Sequence, residues 1–289
     1  MFDLLIKNGR VVDGTGQTWF RAGVAVSGDT VQILRGDTSA VEADKVIDAN
    51  GSVVCPGFID MHSHSDLMLL NNPSHDAKLR QGVTTEALGM DGLSYAPTSP
   101  VNLEYLLTYL AAVNGTPPPG IRWGSVKEFL DLLDNRVACN VVYFVPHASI
   151  RVEAMGWEDR LPTPPELERM QELARQGMRD GAFGFATGLT YPPGAYSDTD
   201  ELAAVSQSVN ELGGFYMTHA RYSLGDRLLD PFKEAIEIGR RSGAPVHLSH
   251  YHSPVDGMGE KMIDLVDEGR NSGVDVTFDQ YPYLSLIHI

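Results

Sequence analysis

Along the first 55 residues the apolar positions come in short β-branched runs broken by turn dipeptides: LLIKNGRVVDG around Asn8-Gly9, VAVSGDTVQIL around Gly28-Asp29 and KVIDANGSVV around Asn50-Gly51. Such dipeptides between alternating hydrophobic residues are hairpin signals, so residues 1–55 predict a small antiparallel β module. From Val53 onward the rhythm changes to strand, loop, helix. Strands are expected at VVCPGFIDMH, GVTTEALGMD, NVVYFVPH, AFGFATG, FYMTHA, APVHLSH and VDVTFDQYP. Helical patterns fall between them near residues 76–81, 103–113, 126–133, 164–181, 199–214, 230–243 and 260–273, several closing on glycine. Seven strands alternating with helices predict parallel βα units and an incomplete (β/α)8 TIM-type barrel with seven of its eight strands. A doubly wound open sheet is the rival, but no Gly-rich dinucleotide fingerprint follows the first barrel-type strand. TPPPG at 116–120 marks a surface insertion after the second strand of the barrel.

Composition narrows the partners. A chain of 289 residues that is 43% apolar has material for one large domain, or a large and a small one. It contains no run of eighteen apolar residues, and its amino terminus, MFDLLIKNGRVVDG, has no long apolar core or small-residue cleavage site, which makes the cytoplasm the expected location. The formal charge is −16 and no basic cluster is longer than GRRSG, so neither nucleic acid nor an anionic membrane is an expected partner. Oligomeric state is not written in the sequence. The two cysteines, Cys55 and Cys139, are expected as buried free thiols in a reducing compartment.

Candidate chemistry begins at GFIDMHSHSD, residues 57–66, where His62 and His64 are spaced i, i+2 after an apolar run. In a strand such residues share a face, and the carboxyl ends of barrel strands are where barrel enzymes do chemistry. Two imidazoles on one face suit zinc or a similar borderline metal. The same placement recurs: YMTHA puts His219 at the end of the fifth strand and VHLSH puts His250 at the end of the sixth. A site for one or two divalent ions also wants an anion, and Asp91 in EALGMDGLS is the carboxylate available at the second strand's end. All six lysines fall in the amino-terminal module or in helices and their flanks, which leaves no lysine at a strand end for carbamylation. Glu86 lies deeper in its strand, and Asp66 is expected to accept a hydrogen bond from the site or to cap a helix. His75 and His247 read as structural, whereas His147 and His252 are open between substrate contact and packing.

With PGFIDMHSHSD, GVTTE, TGLTYPPGAYSDTDEL, THARY, LSH and DVTFDQYPY in this order, the chain resembles the amidohydrolase superfamily and, within it, the N-acyl-D-amino-acid deacylase (D-aminoacylase) family. The resemblance implies a metal-dependent barrel beside a β-sandwich built from both termini. It implies metal ligands at His62, His64, His219 and His250, zinc as cofactor, and hydrolysis of a small N-acyl amino acid by metal-activated water. Tyr191 and Tyr283 would line the substrate pocket. Two positions depart from the family pattern: Asp91 stands where a bridging cysteine is usual, and His252 stands where a lysine contacts the substrate carboxylate. The family's general base, an aspartate ending the eighth strand, has no counterpart here, so the chain as given is expected to be an inactive fragment. On this reading residues 1–55 are part of a composite sandwich and 56–283 the truncated hydrolase barrel. Residues 284–289, LSLIHI, translate CTG TCT CTT ATA CAC ATC, which resembles a transposase sequencing adapter, and are expected to be a non-native tail. The nearest alternatives are a cyclic-amide hydrolase of the dihydroorotase or hydantoinase kind, and a non-catalytic metal-binding protein.

Overall fold

The computed structural model describes all residues except 224, 254 and 282–289. The chain divides into two compact units, Met1–Phe58 and Ile59–Ile289.

In the first unit, strands β1 (Phe2–Val11), β2 (Phe20–Ser27), β3 (Thr30–Leu34), β4 (Ala43–Asp48) and β5 (Val53–Val54) form one five-stranded sheet. The Gly28-Asp29 hairpin joins β2 to β3 as expected. The two Asn-Gly pairs do something else, because β4 and β5 both run parallel to β1 and the sheet is mixed, not antiparallel. Asn8-Gly9 lies inside β1 at a register shift between Ile6 and Gly9, with Asn8 at φ 59°. Asn50-Gly51 sits opposite, between β4 and β5, with Gly51 N–H donating to Asn8 O at 2.8 Å. Asn-Gly encodes positive φ, and a bulge uses that conformation as readily as a hairpin turn. Val11, Ala22 and Val24 form the core of this unit, and among the described residues it has one sheet rather than the two layers of a sandwich. Cys55 is exposed, contrary to expectation, while Cys139 is buried, and both are free thiols.

The second sheet has seven strands in sequence order: β6 (Phe58–Asp60), β7 (Val83–Leu88), β8 (Asn140–Pro146), β9 (Gly184–Gly188), β10 (Phe215–His219), β11 (Val246–Leu248) and β12 (Val276–Phe278). From β7 to β12 every neighbouring pair is parallel. Strands covered on both faces read as near-continuous apolar runs, which is why these segments stand out in the sequence. Alternate residues divide the core in two. Leu88, Tyr143, Val145, Phe185 and Tyr216 pack toward the helices, whereas Ala87, Phe144, Ala186 and Met217 fill the concave side. The lack of a side chain at Gly184 makes room there for the Phe144 ring.

The helices start where local chemistry allows them to. Ser125 and Glu128 form a capping box on Val126–Leu133, Thr163 and Glu166 another on Pro164–Arg179, and the Asp198 side chain caps Thr199–Asn210. Each cap satisfies otherwise orphaned N–H groups and fixes where the preceding loop leaves the strand. The expected helix over 103–113 is two pieces, Pro100–Tyr109 and Ala111–Asn114.

Candidate metal centre

The segment bearing the first two histidines leaves the sheet early. β6 ends at Asp60, so His62 and His64 lie in irregular backbone and strand alternation does not align them. Side chains hold this segment instead. Asp60 Oδ1 accepts from the His62 backbone N–H at 3.1 Å. Lys78, from the helix Asp76–Leu79, bonds Asp60 and lies 3.3 Å from Glu86 Oε1. Glu86 is fully buried on β7 and also meets His75 Nε2 at 2.9 Å and Ser63 Oγ at 3.4 Å. The Glu86 carboxylate thus ties the His62–His64 segment to the neighbouring strand.

Asp91 stands three residues beyond β7, in a short 3₁₀ turn over Met90–Gly92 with φ 57°. Asp tolerates this left-handed conformation better than most residues. The turn packs so closely on β9 that a Cβ at Gly188 would collide with the Asp91 carbonyl oxygen. His219 is the last residue of β10, and His250 lies two residues past β11 with φ 38°. The Asp279 carboxylate secures that bend: Oδ1 accepts from His250 N–H at 2.5 Å, and Oδ2 lies 3.1 Å from His247 Nε2. The other His247 nitrogen is 2.8 Å from Thr277 Oγ1.

These turns bring the five candidate side chains together. His62 Nε2 is 3.4 Å from Asp91 Oδ1, His64 Nε2 is 3.5 Å from Asp91 Oδ2, and His219 Nδ1 is 3.8 Å from Oδ2. His219 Nδ1 and His250 Nε2 are 2.8 Å apart. One donor atom each from His62, Asp91 and His250 fits within 4.8 Å. The His–Asp distances exceed the usual hydrogen-bond range of about 2.7–3.2 Å and match donors arranged around a shared ion. Asp91 Oδ1, which faces His62 Nε2, is buried without a hydrogen-bond partner, so the donor set suits a cation.

Electrostatics agree with that fit. Burial alone would raise the Asp91 carboxyl, but the facing His62 and His64 imidazoles hold it far below the carboxylate range. At His62 burial works downward and is outweighed by Asp91, so its affinity for a proton rises. Burial lowers His219, and it pushes His250 down to about 4 with help from the neighbouring imidazoles. A divalent ion requires neutral imidazoles beside an ionised carboxylate: the lowered His219 and His250 and the Asp91 carboxyl meet that requirement, whereas His62 would give up its proton to such an ion.

Other expectations fare differently. Tyr191 borders the cluster, its ring centroid 5.0 Å from that of His219. His252 is exposed beside it, with Nδ1–H donating to His250 O at 2.6 Å. His147 opens the helix His147–Met155, is fully buried, and places Nε2 2.7 Å from Glu201 Oε1. Asp66 caps no helix. Its buried carboxyl accepts from Gly89 N–H at 3.2 Å and Ser94 Oγ at 2.5 Å, and burial raises it to about 6. Tyr283 lies outside the described residues. Sequence reasoning missed Tyr281, whose ring stacks on His250 at 5.6 Å and 8°. A cavity of about 290 Å³ opens beside His219 and His250, walled by Tyr222, Phe232, His252 and Tyr281.

A parallel half-barrel with clustered imidazoles and a carboxylate at its carboxyl-terminal edge defines a class, and residues 45–276 match the amidohydrolase family, to which this chain belongs. The D-aminoacylase of Alcaligenes xylosoxydans xylosoxydans is 34% identical over 288 residues, covering 98% of this chain and 58% of that protein. A solved D-aminoacylase with a binuclear metal centre superposes with a TM-score of 0.82 at 32% identity, over 98% of this chain and 59% of the other. The N-acyl-D-glutamate deacylase of Bordetella bronchiseptica, complexed with zinc and a phosphonate mimic of the tetrahedral intermediate, gives 0.84, again at 32% identity and with 98% and 59% coverage. The chain therefore spans less than three fifths of the length of these relatives.

Proposed function

We propose that the protein is a metal-dependent hydrolase of linear amides, with N-acyl-D-amino acids as its substrate class. The convergence of His62, His64, Asp91, His219 and His250 carries the reading, and likeness to deacylases over nearly the whole chain supports it. Zinc or a similar divalent ion held there would polarise the amide carbonyl and make water acidic enough to attack near neutral pH. Asp91 would be the shared anion of the centre, a reading supported by its Oδ1 facing His62 while Oδ2 faces His64 and His219. Tyr191 and Tyr281 border the centre with aromatic surface beside His219 and His250. His252 spends Nδ1–H on the His250 carbonyl, which leaves Nε2 as its contact for substrate.

The test is hydrolysis of paired D and L N-acetyl amino acids, with hydantoin and dihydroorotate alongside, by the zinc-loaded full-length gene product. Cleavage of the D-N-acyl substrates is expected. Turnover of the cyclic amides alone would refute the linear-amide assignment, and equal rates on D and L forms would remove the stereochemical part.

A further inference from the structure

The loop after β9 meets His219 at two points. Leu189 N–H donates to the His219 carbonyl at 3.0 Å, and the next residue, Thr190, sets its hydroxyl 2.8 Å from His219 Nε2. The other ring nitrogen, Nδ1, faces Asp91 Oδ2 and His250 Nε2. A neutral imidazole has one N–H and one lone pair, and the partner of the first nitrogen decides which of the two the second presents.

From this we infer that Thr190 is a positioning residue that selects the His219 tautomer. His219 Nε2–H donates to Thr190 Oγ1, and the Nδ1 lone pair is left facing the metal centre. The inference rests on the proposed reading of His219 as a metal ligand and goes beyond it, because it assigns a task to a side chain that touches no ion.

A hydroxyl can orient a ring only if it is itself held, and this loop is anchored from three elements. Tyr109 OH, on the helix Pro100–Tyr109, donates to Pro192 O at 2.8 Å. Arg221 Nη1 and Nη2 donate to Ala195 O and Ser197 O at 3.1 and 2.5 Å, while its Nε pairs with Glu234 at 2.9 Å. Gly194 seats directly against the buried His147 ring, where a Cβ would come within 3.3 Å of Nδ1. These anchors fix the backbone after Thr190 and the Leu189 N–H bond to His219 O fixes it before, so its hydroxyl is a preset partner for Nε2 rather than one recruited when metal binds. Among the described residues His219 Nε2 has no other hydrogen-bond partner.

The test compares zinc affinity, by competition with a chromophoric chelator, for the unaltered chain and for Thr190→Val, Thr190→Ser and His219→Ala, with melting temperature recorded for each. Valine keeps the shape and removes the hydroxyl, whereas serine keeps the hydroxyl. Thr190→Val is expected to weaken zinc binding about tenfold to a hundredfold, the usual cost of losing an outer partner of a metal-bound histidine, and Thr190→Ser to restore it to within about threefold. Wild-type affinity in Thr190→Val while His219→Ala loses zinc would overturn the role of Thr190 and leave the metal reading intact. Equal losses in the valine and serine variants would also overturn it, by showing that packing matters and the hydroxyl does not. Undiminished binding by His219→Ala would remove His219 from the centre, and this inference with it.

Discussion

Replacing Glu201 by alanine should be among the most damaging single changes in the second unit, although Glu201 touches none of the candidate ligands. Its carboxylate is 1% exposed and bridges two fully buried side chains: Oε1 lies 2.7 Å from His147 Nε2, and Oε2 pairs with Arg151 Nη1. The remaining Arg151 contact is Nη2 to Arg160 O at 2.5 Å, and its Nε is already without a partner. Truncation would leave a buried guanidinium without its carboxylate counter-charge. Solvent screening does not soften the effect at this depth, and breaking a buried pair from one side costs about 3–5 kcal/mol. At about 2–4 °C per kcal/mol for a domain of this size, the melting temperature should fall by roughly 6–20 °C. Glu201→Ala combined with Arg151→Met should be less destabilised than Glu201→Ala alone, because no unpaired charge stays buried. Burial pushes the Glu201 carboxyl up, but His147 and Arg151 outweigh it and the net shift is downward. A carboxyl depressed on folding contributes stability above its unfolded pKa and loses it as pH falls through the folded value. The gap between wild type and Glu201→Ala in urea melts should therefore be full at pH 7 and begin to narrow below about pH 4. A loss under about 1 kcal/mol at pH 7 would refute the reasoning, since that is the scale of an exposed ion pair.

Two further outcomes concern the site. Asp91→Ala should lower zinc content by elemental analysis with an unchanged far-ultraviolet circular dichroism spectrum; unaltered stoichiometry would take Asp91 out of the centre. Asp279→Ala removes the acceptor for both His250 N–H and His247 Nε2, and should cost about 1–3 kcal/mol in chemical denaturation and weaken zinc retention together. Stability lost with zinc affinity intact would show that the bend at His250 does not depend on Asp279.

How far these features could be read from the sequence depended on the distance over which they are specified. Ser125 with Glu128, and Thr163 with Glu166, encode helix starts within four residues, and the apolar runs of β7 to β11 encode burial on both faces, so the half-barrel was legible. The residue types at the mouth were legible too, because His62, His64, His219 and His250 recur at one place in the first, fifth and sixth βα units. Their backbone was not. Nothing local announces that Asp91 and His250 adopt positive φ, or that Lys78 reaches back across 18 residues to fix the segment before His62. His147 shows the limit of reasoning from position alone. It follows a strand as the others do, but a helix begins at that very residue and turns its ring toward Glu201. In the first unit, Asn8-Gly9 and Asn50-Gly51 specified a dihedral angle without specifying which strand would use it.

One feature of the mouth bears on how such a protein can change over time. Among the five candidate donors only His219 belongs to a strand, and the other four sit on turns two to four residues past the last ladder residue before them. The sheet's hydrogen bonds and the donors' identities are thus specified by different residues. Exchanging the side chain at 91 would alter the hardness of the donor offered to an ion, while the β7–β8 ladder is left as it stands. Selection could change the donors at the mouth and hold the scaffold constant.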